Sequence, residues 1–510
     1  MPFRQIKPGK RIWPRIIVVG ILLISFALLI RFGASIWLNR HLPQLELALT
    51  QATGLTTRIK GTASATLFPT PGFALGNIEM EHTGNLLLTA GEFRANFDLL
   101  PLLDGRLVTH EIDVDKLALR LTMDDGGRPV LPVLPPVSSQ PKTKGLRPSV
   151  PDIVELHDSD LRVLSTDGKE LYRLQRFNMA LHPVRVQPLT GNASPQQEVA
   201  IYLNFQQARI QQLIIGPSQL KAQYRPGGLI TDITDAAVFG GKADGTVSWI
   251  STDTEPRINA KLSINNFDAE QSVTLFRPDP LVKGKLNLQA DLSSSGSTND
   301  ELIRHLSGSV RLTGNDLELI STNLDELVTR VINSQQYNLV DAAAYFFVGP
   351  FAASATKSRD VANVAEELKK PPTTPTKIVK LVSSWKLDKG GATAQDVALQ
   401  TTRYRLALQG RVNLIKKEFD KIRIAVINNK GCAVASQRLD GPFSAPRTEK
   451  LNILATLARP LLGVLSQSAM LLTTTGCEPF YTGELLPDLS PTSPEKEQGA
   501  GKDVIDKPVD

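Results

Sequence analysis

The sequence predicts a mainly β protein: an N-terminal transmembrane helix, then a long antiparallel β-sheet with a few packed helices. Three observations carry this. An uncharged apolar run at residues 16–30 stands near the start, with five basic residues before it. Most of the chain beyond that run places apolar residues at every second position, the period of a strand with one dry and one wet face. Helical stripes are few, and the alternating strand–helix rhythm of a nucleotide-binding fold is absent.

The chain has 510 residues, 41% of them hydrophobic, enough for two to four packed units or one long one. Two cysteines exclude a disulfide-built scaffold and a Cys-rich zinc module. The net charge of +6 is unevenly placed, because residues 1–40 hold seven Lys/Arg and no acid. Beyond residue 40 fifty basic residues face fifty-one acidic ones, so the body has no electrostatic reason to bind nucleic acid.

The first element is the anchor, expected over residues 12–38. Arg15 and Arg31 close the apolar run, and Trp13 and Trp37 stand where interfacial aromatics anchor a span. The basic flank puts residues 1–11 in the cytoplasm and the bulk across the membrane. A cleaved signal peptide competes, with Gly33-Ala34-Ser35 as its small-residue cluster. The uncleaved anchor is preferred, since no A-x-A site follows and apolar residues continue through Leu38.

An N-terminal β module is expected over 41–125. It opens with a short helix, Leu45, Leu49 and Ala52 following Pro43 and stopping at Gly54. Phe93, Ala95, Phe97 and Leu99 alternate. Near Asp115-Lys116 the phase slips from Ile112 and Val114 to Leu117, Leu119 and Leu121, so a turn or bulge there keeps both sets on one face. Residues 126–151 are Pro-rich and read as a linker or loop. A central sheet module is expected over 152–320, where Ile258, Ala260, Leu262 and Ile264 alternate, as do Leu286, Leu288, Ala290 and Leu292.

A helical insertion comes next, over 321–370. Leu324, Leu327, Val328, Val331 and Ile332 form an apolar stripe capped by Asn323, and residues 339–355 read as a packed core helix. The C-terminal β module, 376–486, carries Leu406 and Leu408 and then Ile422, Ile424 and Val426 in alternation. Its residues 449–465 read as an amphipathic helix, with Leu451, Leu454, Ala455 and Ala458 on one face up to Pro460. Residues 487–510 read as a disordered tail.

Chemistry is hard to find. There is no P-loop, the six His are scattered without metal-ligand spacing, and the S-x-x-K matches at Ser139 and Ser354 lack companion motifs. No enzyme activity, metal or cofactor is expected. Cys432 and Cys477 are a disulfide candidate, since the far side of the membrane is an oxidising compartment.

The order of features resembles the AsmA family of Gram-negative inner-membrane proteins. After the anchor come Leu45, Leu49, Thr53-Gly54 and Ile59-Lys60-Gly61. Leu99-Leu100-Pro101-Leu102-Leu103-Asp104-Gly105-Arg106 is similar to that family's strand turn and leads into Ile112 and Leu117-Ala118-Leu119. Phe239-Gly240-Gly241-Lys242 with Gly245 resembles its repeated hairpin, followed by Phe267-Asp268-Ala269 and Lys283-Gly284-Lys285-Leu286. Leu306-Ser307-Gly308-Ser309-Val310 looks like the start of its C-terminal module, and the resemblance covers most of residues 12–445. The chain departs from it in being compact and in its Pro-rich insert.

The resemblance implies an elongated, curled sheet with an apolar groove and no catalytic residues. The expected protein sits in the inner membrane as a single-pass anchor with its bulk in the periplasm. It binds or conducts phospholipids between inner and outer membrane and supports outer-membrane homeostasis. Leu286, Leu288, Leu292, Leu406 and Leu408 are the groove candidates, while Leu262 is left unassigned. The alternative is an envelope assembly factor acting through contacts with envelope proteins, its apolar faces packed against each other as sandwich cores.

Overall fold

The computed structural model describes residues 32–66, 70–82, 85–98, 100–101, 108–124, 130, 151–186, 196–252, 255–275, 282–320, 323–334, 374–449, 451–453 and 477–486. Residues 1–31, with Trp13, Arg15 and Arg31, lie outside these. So do the apolar run 339–355, nearly all of the Pro-rich segment and the C-terminal tail.

Residues 32–40 are helical and, after a turn at His41, α1 (Leu42–Thr53) continues. Pro43 sits in its first turn, and Gly54 ends it in the left-handed conformation (φ 70°) with its N–H on Thr50 O. Glycine takes that conformation without a Cβ clash.

The N-terminal strands are β1 (Thr56–Ile59), β2 (Ala63–Thr66), β3 (Gly72–His82), β4 (Asn85–Phe97), β5 (Thr109–Asp115) and β6 (Ala118–Met123). Next come β7 (Ile153–Ser165), β8 (Glu170–Val186), β9 (Gln196–Phe205), β10 (Gln207–Ile210), β11 (Leu213–Arg225), β12 (Gly228–Val238), β13 (Gly241–Ile250) and β14 (Arg257–Asp268). A short helix α2 (Ala269–Val273) leads to β15 (Val282–Lys283) and β16 (Lys285–Ser295), and α3 (Asn299–Arg304) to β17 (Ser307–Leu319). Beyond them lie α4 (Leu324–Ser334), β18 (Thr376–Asp388), β19 (Gly391–Thr401), β20 (Arg405–Asn413), β21 (Glu418–Ile427) and β22 (Ala433–Pro442). Two short strands, β23 (Arg447–Thr448) and β24 (Asn452–Ile453), finish the described sheet.

All 24 strands belong to one sheet, and the pairings follow chain order almost throughout. Five pairs of strands share a rung: β1 with β2 against β3, β5 with β6, β9 with β10, β15 with β16, and β23 with β24. The ladder therefore has nineteen rungs, about 86 Å along the sheet at ~4.8 Å per step.

The period-two segments coincide with β4, β14, β16, β20 and β21. The phase slip is the β5–β6 junction, where Lys116 takes a positive φ of 53° and donates its N–H to His157 O at 2.8 Å. That irregularity returns Leu119 to the side of Leu88, its cross-strand partner.

Two expectations need correction. The sheet is mixed rather than wholly antiparallel, because β5 and β6 both pair with β7 in parallel. A parallel pair needs a crossover of a dozen or more residues, and the chain between β6 and β7, with its Pro-rich segment, supplies that length. The start of the expected C-terminal amphipathic helix is also extended. Asn452 and Ile453 form β24, with Ile453 opposite Ala435. Residues 454–465 lie outside the described part.

Candidate functional site

Cross-strand partners join into rows that run along the ladder. One row passes Leu75, Phe93, Val114, Leu156, Met179, Leu203, Leu220 and Ile233, then continues through Gly245, Leu262, Ala290, Val310 and Trp385. A neighbouring row holds Ile264, Leu288, Leu312, Ser383, Val397, Leu408 and Ile424. Alternation within each strand and register between strands thus build one apolar face from the first rungs to the last. Rows of opposite parity carry charge, as in Lys221, Asp232, Thr246, Lys261 and Asp291, with Lys261 Nζ 3.4 Å from Asp291.

The cover over the apolar face changes along the ladder. Over the first rungs, Leu38, Leu42, Leu45 and Leu49 of the helical segment pack on Ile59, Ala63, Leu75 and Ile78. From β7 to β16 the apolar positions are mostly half-exposed, Leu156, Leu203, Leu220, Leu262, Leu288 and Leu292 among them. On β17 Val310 and Leu312 are still partly buried while Leu317 and Leu319 are sealed, and from β18 onward the face is closed. Leu324, Val328 and Val331 of α4 are at most 1% exposed and pack into the cluster that contains Leu399, Leu406 and Leu408.

The five groove candidates divide accordingly. Leu406 is fully buried and Leu408 nearly so, in a sealed core that a ligand could reach only by opening it. Leu286 is also buried, because its side chain fills the space over Gly314, where a Cβ would stand 2.7 Å from its Cδ2. Leu288 and Leu292 are only partly buried, packed against the margin of that same cluster, and Leu262 beside them is partly buried too.

The position of α4 is fixed by the expected Asn323 cap together with polar contacts that the sequence pattern did not single out. Asn323 Oδ1 accepts from Glu326 N at 3.0 Å, and Leu324 N donates to Thr376 Oγ1 at 2.7 Å. Asp325, only 8% exposed, accepts from the hydroxyls of Thr401 and Thr402, the latter at 3.1 Å. Asp325 and Thr401 are 76 positions apart in the chain, beyond the reach of any local spacing rule.

The opposite face of this C-terminal part is apolar too. Val382, Ala398, Ala407 and Ala425 are cross-strand partners, and their small side chains leave room for Phe480, Tyr481 and Leu485. Cys432 and Cys477 are disulfide-bonded, with Cα atoms 6.2 Å apart, and so tie this covering segment to the sheet. Gln409 Nε2 donates to Phe480 O at 2.6 Å, and Tyr481 OH donates to Asp396 Oδ1 at 2.5 Å. Burial, reinforced by that bond to a carboxylate, pushes the Tyr481 phenol well above its ordinary value.

Polar clusters also form. A shallow depression of about 470 Å³ on the polar face is lined by Asp244, Lys261, Gln289, Asp291, Arg311 and Ser384, among others. Asp98, His110 and Asp152 converge, with His110 Nδ1 3.6 and 3.4 Å from the two carboxylates. All three side chains are well exposed, with the His110 ring between the two carboxylates. Spacing along the chain could not reveal it, since its members come from three separate chain segments. Trp37, expected as an interface anchor, is 61% exposed and stacks on His41 at 4.4 Å. Among the described residues no helix is long and apolar enough to cross a membrane, and residues 16–30 are not among them.

A continuous ladder with an apolar face running along it defines the described part as a β-sheet protein. An AsmA family domain occupies residues 177–396, from within β8 to within β19. The matched region contains Phe239-Gly240-Gly241-Lys242, Phe267-Asp268-Ala269 and Leu306-Ser307-Gly308-Ser309-Val310; AsmA is not a family of enzymes. No curated protein and no solved structure matches the chain.

Proposed function

We propose that this protein is an inner-membrane-anchored, periplasmic binder of phospholipids, whose apolar face conducts them between inner and outer membrane. The observation that carries the reading is the run of only partly buried aliphatic side chains from β7 to β16, aligned in rows across successive strands. An acyl chain laid along such a face removes apolar surface from water on both partners, about 25 cal/mol per Å². It asks for no specific polar group, in keeping with a family that is not enzymatic. The anchor reading is supported by the basic flank, by the uncharged run 16–30 and by the exposed Phe32, Ile36 and Trp37.

In-cell photocrosslinking tests it, with benzophenone at Leu288 on the apolar face and at Gln289 on the polar one. Lipid adducts at Leu288 and none at Gln289 are expected. Folded protein with no lipid at either site would sink the lipid reading in favour of an envelope assembly factor.

A further inference from the structure

The helical segment 32–53 lies along the first edge of the sheet. Ser35 Oγ accepts from Ala65 N at 3.0 Å, and Asn39 Oδ1 accepts from Ala63 N at 2.9 Å. Past the turn at His41, Glu46 Oε1 accepts from Ile59 N at 2.6 Å and Thr50 Oγ1 from Thr57 N at 3.0 Å. As the helix number rises from 35 to 50, the strand number falls from 65 to 57. Fifteen helical steps of 1.5 Å and eight extended steps of about 3.3 Å cover similar lengths, roughly 22 and 26 Å. Helix and edge therefore run side by side, antiparallel, and do not cross. Since β1 and β2 both pair with β3, they are two halves of one edge strand, and the kink at His41 does not alter the alignment.

The strands of the first rungs are thus aligned with the helix axis, so the ladder leaves that axis sideways. The helix also has a membrane side, because residues 16–30 precede it and Phe32, Ile36 and Trp37 are each more than 60% exposed. Ser35 marks the level of Ala65, whose successive partners are Phe73 and Ala95. The last residues of β4 therefore lie on the membrane side. Leu100, five residues past Ala95, is 77% exposed, the most exposed of the large apolar residues described. At the other end of β4 stands Leu86, 43% exposed.

We infer that the first rungs stand with their strand ends toward the bilayer, and that Leu100 on the β4–β5 connection dips into the bilayer surface. The partner of this surface is the lipid bilayer itself, and the ladder starts out along the membrane instead of straight away from it. The inference rests on the anchored reading above. Apolar side chains at such a contact reach about 5–10 Å into the headgroup boundary.

The test uses full-length protein in phosphatidylethanolamine/phosphatidylglycerol vesicles containing brominated lipid, with a fluorophore on a single introduced cysteine. The native pair is disulfide-bonded. The sites are Ile36→Cys, Leu100→Cys and Leu86→Cys, all exposed positions that tolerate a label, with near-UV circular dichroism confirming the fold. The thirteen residues of β4 span roughly 40 Å, so Leu86 lies far beyond the quencher if the strands stand upright. Strong quenching at Ile36 and Leu100, with none at Leu86, is the expected result. Equal quenching at Leu100 and Leu86 beside a quenched Ile36 would overturn the orientation and leave the anchor standing. An unquenched Ile36 would remove the anchor and this inference together.

Discussion

Asp113 shows how local competition sets the behaviour of one side chain. Arg94 Nη1 lies 3.1 Å from it and His157 Nε2 3.5 Å, and both favour its charged form. Burial nevertheless outweighs them and, with help from the negative charge of Asp115, holds the Asp113 carboxyl above the usual range. A carboxyl whose folded value is raised binds its proton more tightly in the folded state. Its contribution to stability therefore falls as pH rises from the ordinary carboxylate value through the raised one. Asp113→Asn should be at least as stable as the parent at pH 7 and should flatten that part of the pH profile. Urea midpoints between pH 3 and 7 check this; a clear loss of stability at pH 7 would mean that the Arg94 pair outweighs burial. None of this was legible in the sequence, where Asp113 reads simply as a wet-face residue between Ile112 and Val114. The carboxyl's surroundings come from β4 and β7, and register alone brings them together.

At the level of elements, α4 was legible and its task was not. Its stripe and its Asn323 cap are visible as local spacing, and the helix forms over Leu324–Ser334. The surface it covers depends on contacts far along the chain. Asp325→Ala should strip Thr401 and Thr402 of their buried acceptor and cost about 1–3 kcal/mol. Hydrogen exchange should then show faster opening of the 401–404 turn while β7–β14 stay unchanged. Normal protection at that turn would show that apolar packing alone seats the helix. The Pro-rich segment teaches the same lesson. Its composition announced a long connection, but the parallel sense of β7 is set by which end of the sheet the chain returns to.

For the molecule as a whole, alternation revealed a continuous dry face and could not reveal where that face is closed. Leu286, Leu288 and Leu292 read the same way as Leu406 and Leu408, yet Leu286, Leu406 and Leu408 are buried in the core while Leu288 and Leu292 are only partly buried. Period two reports which side a residue is on; it carries no information about the layer above. The difference predicts uneven local stability, because few buried contacts mean easy local opening. Amides of β18–β22, covered on both faces, should exchange markedly more slowly than those of β11–β14. Uniform protection across the ladder would show that the half-exposed middle is as firmly packed as the C-terminal part. The open stretch from β7 to β16 is about 35 Å along the ladder at ~4.8 Å per rung.

A ladder of hairpins has no natural stopping point, and a bare edge strand is a template for a second molecule. Here the first edge gives its N–H groups at residues 57, 59, 63 and 65 to helix side chains. The helix denies end-to-end polymerisation at the first edge. Each chain therefore acts as a ruler whose span is written in its hairpin count. An inserted or deleted hairpin changes that span by about 10 Å, a whole-strand-pair increment rather than a continuous adjustment.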